Sequence, residues 1–146
     1  MKHRGLLHPE LSRIVAEIGH TQTIVIGDVG LPIPAGVRRI DLAVSAGVPK
    51  LLDVLEAVLS ELIVEGVTVA EETRLFSPEW SARLETALPM PRREVPHTAF
   101  KELVHDAYVV VRTGEVTSYA NVLLHCGVNF WEDPYRDQNG EVGGLQ

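Results

Sequence analysis

The 146-residue sequence predicts a single α/β domain with a mostly parallel sheet flanked by helices. Short β-branched runs bounded by glycine, such as residues 23–26, are typical of buried strands. These runs alternate with amphipathic segments at helical spacing, and that alternation favours a parallel sheet. Neither an internal repeat nor a low-complexity tract marks a second domain, so one domain is expected.

Four helices are predicted from apolar spacing and from end signals. Residues 9–18 carry apolar side chains at i, i+3, i+4 and i+7, with Pro9 at the start and Gly19 just past the end. Leucines and valines occupy one face of residues 50–62, and acidic residues occupy the other. Ser77 is a typical N-cap for a helix that extends to about residue 87. A shorter helix is predicted over residues 100–105.

Apolar β-branched runs between the helices predict five strands. Residues 88–91 are interpreted as a short rigid connector because they contain two prolines. Ligands bind at the carboxyl ends of parallel strands, so Asp28, just beyond the first strand, lies at a candidate site. Residues 119–121 lie in the loop that leads into the last strand. The predicted strands cover residues 23–26, 40–44, 67–70, 107–112 and 122–125.

Composition excludes several functional classes. The hydrophobic share of 45% and the charged share of 23% are those of a globular protein. A formal charge of −7 opposes a nucleic-acid or anionic-membrane partner. The apolar stretch 51–64 is interrupted by acidic residues and cannot span a bilayer. The first residues lack the apolar core of a signal peptide, and Cys126 is the lone cysteine, so a cytoplasmic protein is expected.

An acid and a base flank the first predicted strand. His20 precedes this strand and Asp28 follows it, and we expect both to face the same loop. Histidine suits proton transfer because its ordinary pKa of about 6.5 allows both forms near neutrality. Each residue also has a structural alternative, since His20 can cap the preceding helix and Asp28 can form a turn.

Neither a metal site nor a dinucleotide site is predicted. The six histidines show none of the HxH, HxxxH or HExxH spacings of metal ligands. Residues 27–30 lack the G-x-G-x-x-G pattern. His125 is interpreted as a sheet residue whose hydrogen bonds are satisfied, and Cys126 as a small buried hydrophobe.

Four segments resemble one known family. Residues 19–34, which read GHTQTIVIGDVGLPIP, resemble the D-ribose pyranases, a family of sugar mutarotases. Val29 stands where that family more usually has alanine. The resemblance predicts a mutarotase domain over residues 1–130 and leaves 131–146 as an extension of unknown role. Three further segments follow in the family's order: residues 39–49, with RIDLA and GVP; residues 97–101, HTAFK; and residues 112–128, with RTGE, SYANVLL and CGV.

The resemblance implies a cofactor-free conversion between the β-pyranose and β-furanose forms of D-ribose by acid/base ring opening. It implies that His20 is the proton donor. It also implies rings of five subunits, stacked in pairs as decamers, with no metal ion. The implied substrate-binding residues are Asp28, His97, Tyr119, Ala120 and Asn121, with Lys101 as a possible addition.

Alternatives remain for these residues and for the function. Without the resemblance, His97 belongs to the N-terminus of a short helix, Tyr119 and Asn121 are loop residues, and Lys101 is a helix-surface lysine. A fucose-type mutarotase is the nearest alternative activity, although its loop differs from the GLPIP sequence found here. A non-catalytic sugar-binding or transport-accessory protein is the alternative from another class.

Overall fold

A six-stranded sheet with helices on both faces organises residues 1–129, the part of the chain that the computed structural model describes. The predicted extension at 131–146 lies outside these residues. The strands are β1 (Thr23–Gly27), β2 (Arg39–Asp41), β3 (Val64–Ala70), β4 (Arg92–Val95), β5 (Val109–Arg112) and β6 (Val122–Cys126). The helices are α1 (Pro9–Glu17), α2 (Leu51–Leu59), α3 (Glu71–Phe76), α4 (Pro78–Ala87) and α5 (His97–Val104).

The strands lie in the order β2-β5-β1-β6-β3-β4, and only β6 runs against its neighbours. Its register pairs Ile26 with Val122 and Thr23 with His125. The residues that enter β6 therefore lie beside the residues that leave β1. We name the edge where the five parallel strands end the carboxyl edge, and the opposite edge the amino edge. The predicted mostly parallel α/β fold is confirmed.

Alternating strand side chains build two apolar layers, as the two-residue period of a strand requires. Ile24 and Ile26 face the layer that contains α1, α2 and α4. Val25 faces the opposite layer, where Phe100 and Val104 of α5 cover the sheet. Burial on both faces explains why β1 is a continuous apolar run in the sequence.

Two elements were missed by the sequence prediction, and both are polar. In α3 only Thr73 is buried, so no apolar stripe marks the helix. β4 lies at the edge of the sheet and has a single buried residue, Val95. The strand predicted over 40–44 ends earlier, at Asp41, whose carboxylate accepts a hydrogen bond from the backbone N–H of Ala43 at 3.1 Å. That bond turns the chain out of the sheet.

Glu115 links the loop between β5 and β6 to the first residue of α2 by a hydrogen bond. Its carboxylate accepts a hydrogen bond from the backbone N–H of Leu51 at 3.2 Å and one from the Thr117 hydroxyl at 2.8 Å. Burial raises the pKa of this carboxyl, but the hydrogen bonds from Thr117, Leu51 and Val116 together lower it below its ordinary value. The buried side chain is therefore held as a carboxylate.

We expect Glu115→Gln to lower the free energy of unfolding. The amide nitrogen would face one of the buried donors and leave it unsatisfied, which costs about 1–3 kcal/mol. Each kcal/mol lowers Tm by roughly 2–4 °C in a domain of this size. Thermal unfolding at neutral pH measures this loss, and Glu85→Gln, an exposed glutamate on α4, is the matched control.

The pH dependence of Tm in wild type and in Glu115→Gln tests the ionised state of Glu115. A carboxyl with a lowered folded-state pKa contributes stability above its ordinary pKa of 4.5, and this contribution is lost as the pH falls through the folded-state value. The difference in Tm between wild type and Glu115→Gln should therefore narrow below pH 4.5. A difference that stays constant with pH would contradict this account.

Candidate functional site

Five of the predicted site residues meet at the carboxyl edge. Asp28 follows the last residue of β1, and His97 begins α5 two residues after β4 ends. Tyr119, Ala120 and Asn121 form the approach to β6. Their convergence follows from the topology, because the start of β6 lies beside the end of β1.

Two hydrogen bonds join Asp28 to Asn121. The Asn121 side-chain oxygen accepts from the backbone N–H of Asp28, and its side-chain nitrogen donates to Asp28 Oδ2, both at 2.9 Å. Asn121 is fully buried and Asp28 is partly exposed, so these bonds are partly shielded from water. A Cβ at Gly27 would lie 3.1 Å from Asn121 Oδ1 and 2.7 Å from Leu31 Cδ2. The absence of a side chain at Gly27 permits this close approach.

Asp28 also accepts a hydrogen bond from the backbone N–H of Gly30 at 2.8 Å. The turn-forming interpretation of this residue is therefore correct. It does not exclude a ligand, because a carboxylate with two oxygens accepts about four hydrogen bonds. The side chain is fixed in orientation and only partly exposed.

The imidazole of His97 lies edge-on to the ring of Tyr119, with ring centroids 5.0 Å apart and planes at 84°. Its Nδ1 is buried and has no hydrogen-bond partner within residues 1–129. Burial lowers the pKa of His97 and the charge of Lys101 lowers it further, whereas Glu72 and Asp28 oppose that change. The net lowering keeps the imidazole neutral at pH 7, able to donate one hydrogen bond and accept another.

The unpredicted helix α3 holds this part of the site in place. The Thr73 hydroxyl donates to the Tyr119 carbonyl at 2.7 Å, and Glu72 accepts the backbone N–H of His97 at 2.8 Å. Phe76 packs on Tyr119, with ring centroids 5.4 Å apart. Tyr119 itself has a φ of 58°, a conformation rare for residues with a side chain.

These α3 residues were missed by the sequence reasoning. Their position in the sequence could have indicated them as site residues. Glu71 and Glu72 directly follow a predicted strand, and the carboxyl ends of parallel strands are where ligands bind.

Ala120 and Lys101 have different relations to the site. Ala120 is fully buried, and its backbone N–H donates to the Thr117 carbonyl at 3.3 Å. Lys101 lies one turn along α5 from His97 and lines a cavity of about 320 Å³ together with Ile33 and Pro34. The one effect of Lys101 on the site that the structure shows is electrostatic, since its charge lowers the pKa of His97.

His20 lies at the amino edge, away from the other candidate residues. The backbone N–H of the next residue, Thr21, donates to the carbonyl of Cys126 at 3.2 Å, where β6 ends. The His20 ring contacts Glu65 near the start of β3. The six residue steps from position 22 to Asp28 span roughly 20 Å at about 3.3 Å each. The expectation that His20 and Asp28 face one loop is wrong within a single chain, because an extended strand separates them.

Two residues interpreted as structural do have that role. His125 Nε2 lies 2.8 Å from the hydroxyl of Thr68, so this ring nitrogen has a hydrogen-bond partner within the sheet. Cys126 is buried, and burial raises the pKa of its thiol to about 11. A thiol that stays protonated at neutral pH is a poor nucleophile.

Two further features are absent from residues 1–129. No group of three or more histidine, cysteine or acidic residues there is arranged to hold a metal ion. No helix in that range combines the length and the apolar character needed to cross a bilayer.

Known proteins match this chain along most of its length. A sequence model of the RbsD / FucU transport protein family matches residues 1–129. The chain is 50% identical to D-ribose pyranases of Exiguobacterium sibiricum over 132 residues and of Bacillus cereus strain 03BB102 over 131, covering 89% of this chain and 100% of each relative.

Solved structures match as well. Bacillus subtilis RbsD complexed with D-ribose has a TM-score of 0.85 and 41% identity, covering 89% of this chain and 100% of the other. The fucose mutarotase of Streptococcus pneumoniae in complex with L-fucose has a TM-score of 0.67 at 21% identity, covering 84% and 94%, and shows the shared fold. From the family match and these identities, the chain belongs to the RbsD / FucU transport protein family.

Proposed function

We propose that this protein is a mutarotase that interconverts the β-pyranose and β-furanose forms of D-ribose. The observation that carries the proposal is the fixed group of polar side chains at the carboxyl edge, in a chain 50% identical to D-ribose pyranases along their full length. We assign the activity to residues 1–130. The lone cysteine favours a reducing compartment, which we propose is the cytoplasm.

The side chains at the carboxyl edge suit the recognition of a sugar. Asp28 accepts hydrogen bonds in a fixed direction, and neutral His97 both accepts and donates. Tyr119 adds a hydroxyl, Asn121 fixes the carboxylate, and Ala120 contributes its backbone. Ring opening requires a base for the proton of the anomeric hydroxyl and an acid for the ring oxygen, each worth about 10²–10⁴-fold in rate.

We assign proton donation to His20 of a second copy of the chain. One copy cannot bring both His20 and Asp28 to one sugar, because the extended segment from position 22 to Asp28, roughly 20 Å long, separates them. A contact between the amino edge of one copy and the carboxyl edge of the next would join them. Repeated head-to-tail contacts form a closed ring when the rotation between consecutive copies divides a full turn evenly. We propose that the copies assemble in this way as a pentamer or a decamer. Exposed Phe76 and Val116 give the carboxyl edge apolar area for this contact.

The proposed activity predicts that the protein accelerates pyranose–furanose exchange of D-ribose. Saturation-transfer NMR on the anomeric protons of several aldoses measures this exchange directly. Exchange of ribose above the uncatalysed rate is the expected result. Exchange of fucose alone would indicate the fucose-type activity instead, and ribose binding without faster exchange would indicate a non-catalytic sugar-binding protein.

Removal of the proposed acid should affect turnover rather than binding. His20→Ala is expected to reduce exchange by about 10²- to 10⁴-fold. Ribose affinity should change little, because Asp28 and Asn121 remain joined. His3→Ala, at the exposed N-terminus, is the matched control. A His20→Ala protein with a lowered Tm but normal exchange would show that the residue has a structural role alone.

The assembly can be tested with the same variant. Co-refolding inactive His20→Ala with inactive Asp28→Asn should restore up to about a quarter of the wild-type activity at random mixing, because some contacts then pair an intact amino edge with an intact carboxyl edge. If both residues acted within one copy, the mixture would stay inactive.

The proposed chemistry needs acid/base groups alone. Exchange should therefore survive exhaustive chelation followed by dialysis, with rates compared before and after treatment. A loss of activity that one added divalent ion restores would contradict this prediction.

A further inference from the structure

β3 contains a bulge at Glu65. Val64 pairs with Cys126 of β6 and Gly66 pairs with His125, so Glu65 is an extra residue between two consecutive partners. A bulge of this kind bends the strand locally and redirects a side chain that regular pairing would have sent elsewhere.

The redirected side chain meets His20. Glu65 Oε2 lies 3.2 Å from His20 Nε2, and each side chain is 49% exposed. A carboxylate only accepts hydrogen bonds, so Nε2 of His20 must carry the hydrogen. The contact therefore leaves Nδ1 as the nitrogen that is free to exchange a proton with a ligand.

A glycine directly after the end of β6 leaves space for the carboxylate. A Cβ at Gly127 would lie 3.3 Å from Glu65 Cβ and 3.5 Å from Glu65 Oε2. A larger residue there would press on the side chain that holds His20. The bulge, the contact with the imidazole and the glycine therefore act on the same carboxylate.

We propose that Glu65 is the positioning residue for His20. It holds the imidazole in one orientation and in one tautomer, with the hydrogen on Nε2 and with Nδ1 free to face a ligand. Glu65 does not touch the sugar in this scheme, since it acts through His20. The inference rests on the proposed catalytic role of His20.

Substitution of Glu65 should lower the turnover number without weakening substrate binding. Glu65→Gln is nearly isosteric but uncharged, and we expect kcat for ribose exchange to fall about tenfold while KM stays within about twofold. Glu65→Asp keeps the charge on a shorter side chain and should retain more activity than Glu65→Gln. The matched control is Glu61→Gln, which removes a different surface ion pair, with Lys2 at 3.2 Å.

The orientation of the imidazole can be observed independently of turnover. In ¹⁵N-labelled protein, the His20 signals, assigned by their loss in His20→Ala, should show one dominant neutral tautomer with hydrogen on Nε2. In Glu65→Gln and Glu65→Ala the two tautomers should mix. A spectrum that does not change in these variants would overturn the proposal, whatever the kinetics.

A double variant separates this inference from the proposed function. If Glu65 acts through His20, adding Glu65→Gln to His20→Ala should cause no further loss of exchange. Normal exchange in His20→Ala would refute the catalytic role of His20, and the positioning role with it. Loss of exchange in His20→Ala, together with a normal kcat in folded Glu65→Gln of unchanged oligomeric state, would refute the positioning role alone.

Discussion

The reversed direction of β6 is the constraint on which the candidate site depends. Five strands run in parallel, and a sixth parallel strand in this position would begin at the amino edge. Because β6 is antiparallel to β1, its first residues instead enter beside the end of β1. Asn121 is brought within hydrogen-bond distance of Asp28 in this way, across 93 positions of sequence. The antiparallel pairing of these two adjacent strands thus holds Asp28 and Asn121 as a rigid pair of polar side chains.

Neighbouring elements keep this pair and its surroundings in place through buried polar contacts. The Thr113 hydroxyl donates to the Gly27 carbonyl at 2.8 Å, directly before Asp28. Glu115 accepts the first backbone N–H of α2, while its own carbonyl accepts that of Val29. A buried polar group that loses its hydrogen-bond partner raises the free energy of the folded state. These contacts therefore resist movement of the loops. The carboxyl edge is therefore preorganised, which reduces the conformational entropy that the protein must lose when a ligand binds.

The sequence predicted the elements in which the buried residues form a periodic apolar pattern. It missed the elements that lack such a pattern. β1 and α2 were recognisable because apolar residues face one or two buried layers. α3 and β4 are polar, and tertiary contacts rather than propensity define them. Asp28 could be placed at a strand end because it directly follows a predicted strand in the sequence. The position of His20 could not, because proximity in sequence does not show that an extended strand carries the two residues to opposite edges.

β1 has a further consequence if the copies assemble head to tail as proposed. The strand is a stiff spacer whose length sets the offset between consecutive sugars around the ring. Each chain then serves two sugars, one with its amino edge and another with its carboxyl edge. An insertion or deletion between His20 and Asp28 would change that spacing at every contact at once, and a ring must close on itself without error. In such a ring, the geometry of the whole assembly would fix the length of this segment, beyond the needs of the individual fold.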